Sequence, residues 1–526
     1  MMTFENEHTF RKFMISKAEE EFHNRYSKAV TDIRSQFGKK YSMIIDGKEA
    51  SSSKFFVHTS PTDTRITLGY FPCAKKAQVR QAIKSAKKCF TERWRITDYK
   101  YRIQVCRAAA LKIADRKFEL AAWISYENGK NRYEAIADVD EAIDFIKYYS
   151  DEMERNNGFT VDMKKAESNE ESKSVMKPYG VWGVIAPFNF PAAILIGMSV
   201  GALITGNTVV LKPASDTPII GYIFTEIMNE AGLPYGALNF ITGSGDIIGR
   251  EIAESRDVAG IVFTGSKEVG FKIHREYGSK LNPRPIIAEM GGKNPVVVTS
   301  NADIDKAVEG VLKAAFGYSG QKCSACSRLY IHSDIKDAFM EKLVQGAKNL
   351  RVDNPIEQNS FMGPLINSQA YEKYKKFCRI ASRDGKILTG GVVKKDDDYR
   401  YGYYVEPTIV DGLPKNHRLF KEELFVPILC VAEYDKYSEV LNLCNDSEYG
   451  LTAGIYSNRK EEIDSFLNIM EAGVIYVNRY RSATTGAMVG CQPFGGWKSS
   501  GTTGKGTGGP YYLMQFLREQ SQTICQ

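Results

Sequence analysis

Histidine is scarce in this chain, six among 526 residues, which disfavours a metal centre built on several imidazoles. The ten cysteines are scattered from Cys73 to Cys525, unlike the close spacing of a small secreted disulfide framework, so most are expected as free thiols. No Lys/Arg block stands out. The 70 basic and 63 acidic residues leave a formal charge of +7, and charge spread that thinly points to neither nucleic acid nor a membrane surface. The N-terminal MMTFENEHTFRKFM is charged from its fifth residue and has no apolar h-region, so a cytoplasmic location is expected rather than secretion. Internal repeats and low-complexity tracts are lacking as well. One long stretch free of ionisable side chains, 181–211, exceeds a bilayer-spanning length. Pro187, Asn189, Pro191, Gly201, Gly206 and Asn207 interrupt it, so it reads as strand, loop, buried helix and strand.

What is present is an ordinary globular composition, 43% apolar and 25% charged, in a chain long enough for two or three domains. Residues 9–37 carry Phe13, Ala18, Phe22, Tyr26, Val30 and Ile33 at three-to-four spacing, predicting an N-terminal helical decoration. Helical periodicity continues in AKKAQVRQAIKSAKKCF, which lacks a capping residue before it, in the run 101–128, and in EAIADVDEAIDFIKYYSDEM. From Gly180 the texture alternates: strands at GVWGVIAP, NTVVLKP, LNFIT and GIVFTGS, with helices ending near Thr205, over 219–231 and after Gly245. A second series starts at KNPVVVT, with helices over 304–316 and 335–350. Such βαβ alternation predicts mostly parallel, doubly wound sheets. The polar stretch MKKAESNEESKS reads as a hairpin tip or linker.

Cys323 lies in FGYSGQKCSACSR, where glycines and small polar residues predict an accessible turn opening a helix, a setting that favours thiolate. CSAC also has the spacing of a redox pair or half a zinc site, and no second CxxC of matching spacing accompanies it. FTGS ends a predicted strand and opens a helix, so Gly265, Ser266 and free backbone amides can meet a pyrophosphate. Gly243-Ser-Gly245 lacks the third glycine of a dinucleotide fingerprint and is read as a turn.

Six short motifs occur in an order that resembles the aldehyde dehydrogenase superfamily over nearly the whole chain: APFNFP, LKPAS, FTGSKEVG, AEMGGKNP, GQKC and EELFVP. The resemblance implies an α/β fold of two doubly wound parallel-sheet domains plus a small β oligomerisation hairpin. It divides the chain into an NAD(P)-binding domain (1–150 and 177–289), a catalytic domain (290–485) and an oligomerisation segment (151–176 and 498–526), giving a homo-oligomer, a dimer or higher. It also assigns roles. Cys323 is the nucleophile, Asn189 and the Cys323 N–H serve the oxyanion, and Glu289, 34 residues before Cys323, is the base that hydrolyses the thioester. Lys212 and Ser215 should meet the adenine ribose, Glu423 the nicotinamide ribose, and Phe425 with Phe188 the nicotinamide end. Val426 stands where the family usually has Gly. With Ser215 in place of the Glu of KPAE, NAD is expected as the main cofactor and NADP as also accepted.

The stretch SATTGAMVGCQPFGGWKSSGTTGKGTGGPYYLMQF, with GQKCSACSR and YSMIIDGKE, resembles the pyrroline-carboxylate, or glutamate-semialdehyde, dehydrogenase subgroup. In that subgroup the residues matching Gly486, Ala487 and Ser324 hold the substrate's α-carboxylate, a backbone nest for an anion. Lys322 is expected to pair with Glu141, and Phe190 and Phe494 to wall the aliphatic chain. The substrate implied is a small aldehyde. Competing readings are another ω-semialdehyde dehydrogenase, a CoA-acylating relative with no use for Glu289, a non-catalytic scaffold, and a CxxC metal or redox protein.

Overall fold

The computed structural model describes residues 16–278, 284–480 and 488–526. The segment 181–211 resolves into the strand Val181–Ile185, a proline loop, the helix Ala193–Ile204 and the strand Thr208–Lys212. Among the described residues no helix is long and apolar enough to cross a membrane. These two strands sit at the centre of a seven-stranded sheet ordered Ile286–Glu289, Val258–Thr264, Val181–Ile185, Thr208–Lys212, Leu238–Phe240, Met43–Ile45 and Lys48–Ala50. The first five run parallel and the last two are antiparallel additions. Strands buried on both faces read as continuous apolar runs. Trp182, Val184, Val209 and Leu211 pack into one layer, and Val181, Val210, Ile261 and Phe263 into the other.

A second seven-stranded sheet follows the order Lys386–Thr389, Thr408–Asp411, Ile428–Tyr434, Cys326–His332, Asn294–Val298, Thr452–Tyr456 and Val474–Val477. All its pairs are parallel except the first. The expectation of two mostly parallel, helix-covered sheets is met.

Several boundaries differ from the periodicity reading. The N-terminal helix is described from Ser16 to Arg34, and the earlier part of the expected 9–37 stretch lies outside the described residues. The run 101–128 is two helices, Tyr99–Asp115 and Lys117–Asn128, broken at Arg116 (φ −97, ψ 11). The helix Lys76–Glu92 does without a side-chain cap because the Lys75 N–H donates to Gln78 Oε1 at 2.8 Å, half of a capping box. In the polar stretch only 163–169 forms the hairpin tip. From Glu170 it is the strand Glu170–Pro178, flanked by Thr160–Asp162 and the terminal strand Leu517–Cys525. Residues 498–516, expected with that hairpin, instead run past the end of the strand Ile286–Glu289, where Gly501 bridges Glu289 and the Met290 N–H donates to the Ser500 carbonyl. Backbone pairing there ties the segment to the first sheet.

Candidate active site

Cys323 lies in a turn between the short helix Gly317–Gly320 and the strand Cys326–His332. Tyr318 (φ 49), Ser319 (φ 54) and Gly320 (φ 66) are all left-handed. For the two with side chains that conformation costs about 1–3 kcal/mol each and must be over-determined by its surroundings. Ser319 Oγ donates to the Gly363 carbonyl at 2.7 Å, and the Ile366 N–H donates to Gln321 Oε1 at 2.8 Å. A Cβ on Gly320 would lie 2.8 Å from the Val426 carbonyl oxygen, so glycine is required where this turn meets the loop of Phe425. Asn294 clamps the other side: its Nδ2 donates to the carbonyls of Cys323 (2.7 Å) and Ala325 (3.0 Å), while its Oδ1 accepts the Thr452 N–H at 3.0 Å.

The expected helix N-terminus at Cys323 is not there; the turn leads into a strand. CSRLYIH finds partners on both sides, Asn294–Val298 and Ile428–Tyr434, and sheet pairing overrides the local resemblance to a helix start. The turn therefore lends the thiol no dipole of a helix that it opens. Burial, then the carboxylates of Glu423 and Glu289, push it up to about 12, against the N–H groups of Ser324 and Cys323, which favour the thiolate. Cys323 rests as a thiol and must lose its proton as it attacks. Cys326 is a buried free thiol, with its Sγ 3.6 Å from the Arg328 carbonyl.

Glu289 ends its strand with its Oε2 accepting the Gly496 N–H at 3.0 Å, while its carbonyl accepts the Gly265 N–H at 3.1 Å. Burial lifts the carboxyl to about 8, opposed by the Gly496 bond, which places its proton exchange where a general base works. Asn189 is buried, and its Nδ2 donates to the Gln321 carbonyl at 3.2 Å. An amide has two such hydrogens, so one stays available for a ligand.

Lys212 ends the strand Thr208–Lys212 only 7% exposed, with its Nζ donating to the Pro213 carbonyl at 2.9 Å. Burial lowers it to about 8, with Asp216 opposing, so it is no ordinary surface lysine. Ser215 is exposed in the loop beyond. Gly265 and Ser266 join the strand Val258–Thr264 to the helix Lys267–Gly278. Glu423 accepts the Gly292 N–H at 2.9 Å, and burial raises it to about 7. Ser266 and Glu423 line one cleft of about 860 Å³ with Lys267, Lys373 and Tyr449. Phe425 takes the strained φ of 57 in its loop, and its ring meets Phe188 edge-on at 5.8 Å. Val426 keeps an ordinary φ and buries its side chain, so the absence of Gly there leaves the loop intact.

With this geometry in place, sequence comparison is decisive. Residues 48–522 match the model of the aldehyde dehydrogenase family. The chain belongs to the aldehyde dehydrogenase family. It is 38% identical over 504 residues to the 1-pyrroline-5-carboxylate dehydrogenase of Geobacillus kaustophilus, covering 95% of each. Among solved structures it is similar to the 1-pyrroline-5-carboxylate dehydrogenase from Thermus with bound NAD, at TM-score 0.92, 35% identity and 98% of both chains. A betaine aldehyde dehydrogenase from Staphylococcus aureus in complex with NAD+ follows at TM-score 0.88 and 26% identity, covering 95% of this chain and 97% of that one.

In this aldehyde dehydrogenase the lysine before Cys323 has a different partner from the one expected. Lys322 Nζ meets Glu134 Oε1 at 2.9 Å, not Glu141. Both glutamates are on the helix Arg132–Arg155, seven residues apart, close to two full turns, and so share a face about 10 Å apart along the axis. Glu134, in the first turn, is level with the nucleophile loop. Glu141 is instead raised to about 8 by burial and by Asp138. The sequence cue for Glu134 was Asn131-x-x-Glu134, a capping-box spacing; Asn131 indeed caps the helix through the Glu134 N–H. Sequence reasoning also missed Asn294, Gln321 and the buried Lys130–Asp138 pair (2.9 Å), whose ammonium sits 3.6 Å over the ring of Phe190. Phe494 is partly buried and pairs with Thr507 through both backbone bonds. Ser324 is buried beside Cys323. Gly486 and Ala487 lie outside the described residues.

Proposed function

We propose that this enzyme oxidises L-glutamate γ-semialdehyde, formed from 1-pyrroline-5-carboxylate, to L-glutamate with NAD, as a step of proline catabolism. The observation that carries the chemistry is that Cys323 lies within the electrostatic reach of Glu289, a half-buried carboxyl that desolvation holds up to about 8. The substrate rests on similarity to proteins named 1-pyrroline-5-carboxylate dehydrogenase across 95% of the chain. The cleft suits part of a dinucleotide, with a helix start at Ser266 and an acceptor carboxylate at Glu423, and the buried ammonium of Lys212 at the end of its strand would serve the adenine ribose. When bound, NAD accepts the hydride.

The protein's own steps follow from the geometry. Cys323 Sγ adds to the aldehyde carbon while the Asn189 amide and the Cys323 N–H take the developing oxyanion. After hydride loss the carbon remains on Sγ as a thioester. Glu289, ionised, takes a proton from water, which attacks the thioester and restores the thiol. Ser324 with Gly486 and Ala487 would hold the α-carboxylate, and Phe190 and Phe494 would wall the chain. Comparing NAD reduction with 1-pyrroline-5-carboxylate and with succinate semialdehyde tests the substrate; a kcat/KM higher for the second would favour another ω-semialdehyde.

The domain division 1–150 with 177–289, 290–485, and 151–176 with the C-terminal tail serves this reading, with the tail's share beginning at Leu517. Val161 and Ile524 are exposed on the small antiparallel sheet and Met163 at its hairpin tip, and the edge of that sheet can pair with a second copy. A homo-oligomer should elute at a multiple of 59.0 kDa in light scattering.

A further inference from the structure

Beneath the loop 213–217 lies a buried polar cluster that the chemistry above does not use. Glu127, fully buried, comes from the helix Lys117–Asn128. Its Oε1 accepts from His58 Nε2 at 3.0 Å and from the Ile219 N–H at 2.8 Å. Ile219 is the second residue of the helix Pro218–Glu230, whose own N-cap residue, Thr217, supplies no side-chain bond. The free amides at that helix start are thus satisfied by a carboxylate reaching in from another helix.

The loop that ends at this helix is also tied on its far side. Asp216 accepts from Asn367 Nδ2 at 3.3 Å, and Asn367 in turn caps the helix Ser368–Asp384 by accepting the Ala370 N–H at 3.0 Å. Ser215, exposed, stands immediately before the first of these ties, three residues after Lys212 ends its strand. The place of Ser215 is therefore set by the strand end before it and by the anchors at Asp216 and Ile219 after it. Removing His58 would leave Glu127 buried beside the helix start without its side-chain partner, a costly arrangement that is relieved by movement or protonation. Either response loosens the start of the helix and the loop before it.

We propose that Glu127 and His58 form a positioning pair that fixes the loop 213–217, and through it Lys212 and Ser215, for the adenosine half of the cofactor. This rests on the reading of Lys212 and Ser215 as ribose-binding residues. The pair touches neither aldehyde nor nucleophile, so its loss weakens cofactor affinity while the chemistry at Cys323 stays intact.

The test uses the full-length enzyme with His58→Leu, His58→Gln and Glu127→Gln. NADH affinity is read by fluorescence titration. The nucleophile and base are read separately by cofactor-free hydrolysis of p-nitrophenyl acetate, in which Cys323 takes the acetyl group, p-nitrophenolate leaves and water releases acetate. His58→Leu should weaken NADH binding by about tenfold, on the scale of one buried hydrogen bond to a charged group, with ester hydrolysis within twofold of the parent. His58→Gln, which can still donate an N–H to Glu127, should recover most of the affinity, and Glu127→Gln should lie between. An unchanged NADH affinity in His58→Leu alongside a lower melting temperature would overturn the proposal, as would an equal fall in ester hydrolysis. Lys212→Met is measured in parallel. If it leaves NADH affinity unchanged, the ribose reading itself fails and takes the proposal with it; if Lys212→Met weakens binding and His58→Leu does not, only the positioning role fails.

Discussion

Glu289 offers the sharpest test because its environment sets a number. Its carboxyl loses most of its water contact and keeps one compensating donor, the Gly496 N–H at 3.0 Å, so the proton is held up to about 8. A general base works only when ionised. With that value about 9% of the enzyme carries the base at pH 7 and about 91% at pH 9, a rise of roughly tenfold. The sign follows from the raised carboxyl: activity is lost as pH falls through 8 and is full above it. Rapid mixing with saturating aldehyde and NAD separates the two halves of the reaction. The first turnover reports attack by Cys323, and the following linear phase reports release of the acid where thioester hydrolysis limits it. The linear phase should climb about tenfold from pH 7 to 9 and level off. In Glu289→Gln the burst should persist, since the nucleophile remains and a neighbouring negative charge is gone, while the linear phase falls by two orders of magnitude or more, the usual scale of lost general-base catalysis. What survives should follow hydroxide concentration without a plateau. A Gln variant that keeps the parental rise centred near pH 8 would refute the assignment, and one lacking a burst would place Glu289 earlier in the mechanism or in the fold.

Cys323→Ala should oxidise no aldehyde yet bind NADH as the parent does, checked by turnover and fluorescence titration; Cys326→Ala should keep most turnover and lose about 1 kcal/mol of stability in urea, as expected for trimming a small buried side chain. Glu134→Gln should lower kcat/KM by about tenfold, because the charge-assisted bond to Lys322 is worth about 1.5–3 kcal/mol, whereas Glu141→Gln should stay within about threefold, since Glu141 already favours its neutral form. Ser215→Glu should depress kcat/KM with NADP by more than about tenfold and with NAD by less than about threefold, through repulsion of a 2′-phosphate; equal loss with both cofactors would show that Ser215 does not face the ribose.

The alternation from Val181 to Thr264 was legible because strands buried on both faces must be apolar throughout and the turns between them need Pro, Gly and Asn. The break at Arg116 was not legible: arginine favours helix, and only the packing of the second helix against its neighbours turns the chain there. Cys323 shows the same limit. GYSGQKCSA has no periodicity, and whether it opens a helix or a strand depends on CSRLYIH finding its two neighbours far along the chain. Glu141 rests on the resemblance alone, and which acidic residue of the helix Arg132–Arg155 stands level with Lys322 along the axis cannot be read from the sequence.

The motifs were easier to read than the roles inside them, and the reason lies in where the two sheets meet. Glu289 ends the edge strand of the first sheet and Asn294 begins an inner strand of the second, so four residues carry the chain from one to the other. Three of the candidate site residues are tied to this crossing: Glu289 precedes it, the Gly292 N–H holds the Glu423 carboxylate, and Asn294 holds the carbonyl of Cys323. The approach is so close that a Cβ on Gly292 would lie 2.6 Å from that same carbonyl oxygen, so backbone rather than side chain must fill the space. Glu289, Cys323 and Glu423 are thereby spaced by six residues of chain, the last two through hydrogen bonds to Asn294 and Gly292. A crossing this short leaves few alternatives for its sequence, which is why AEMGGKNP stands out as a motif. The partners it holds come from positions 29 to 131 residues further along the chain, and no local pattern names them.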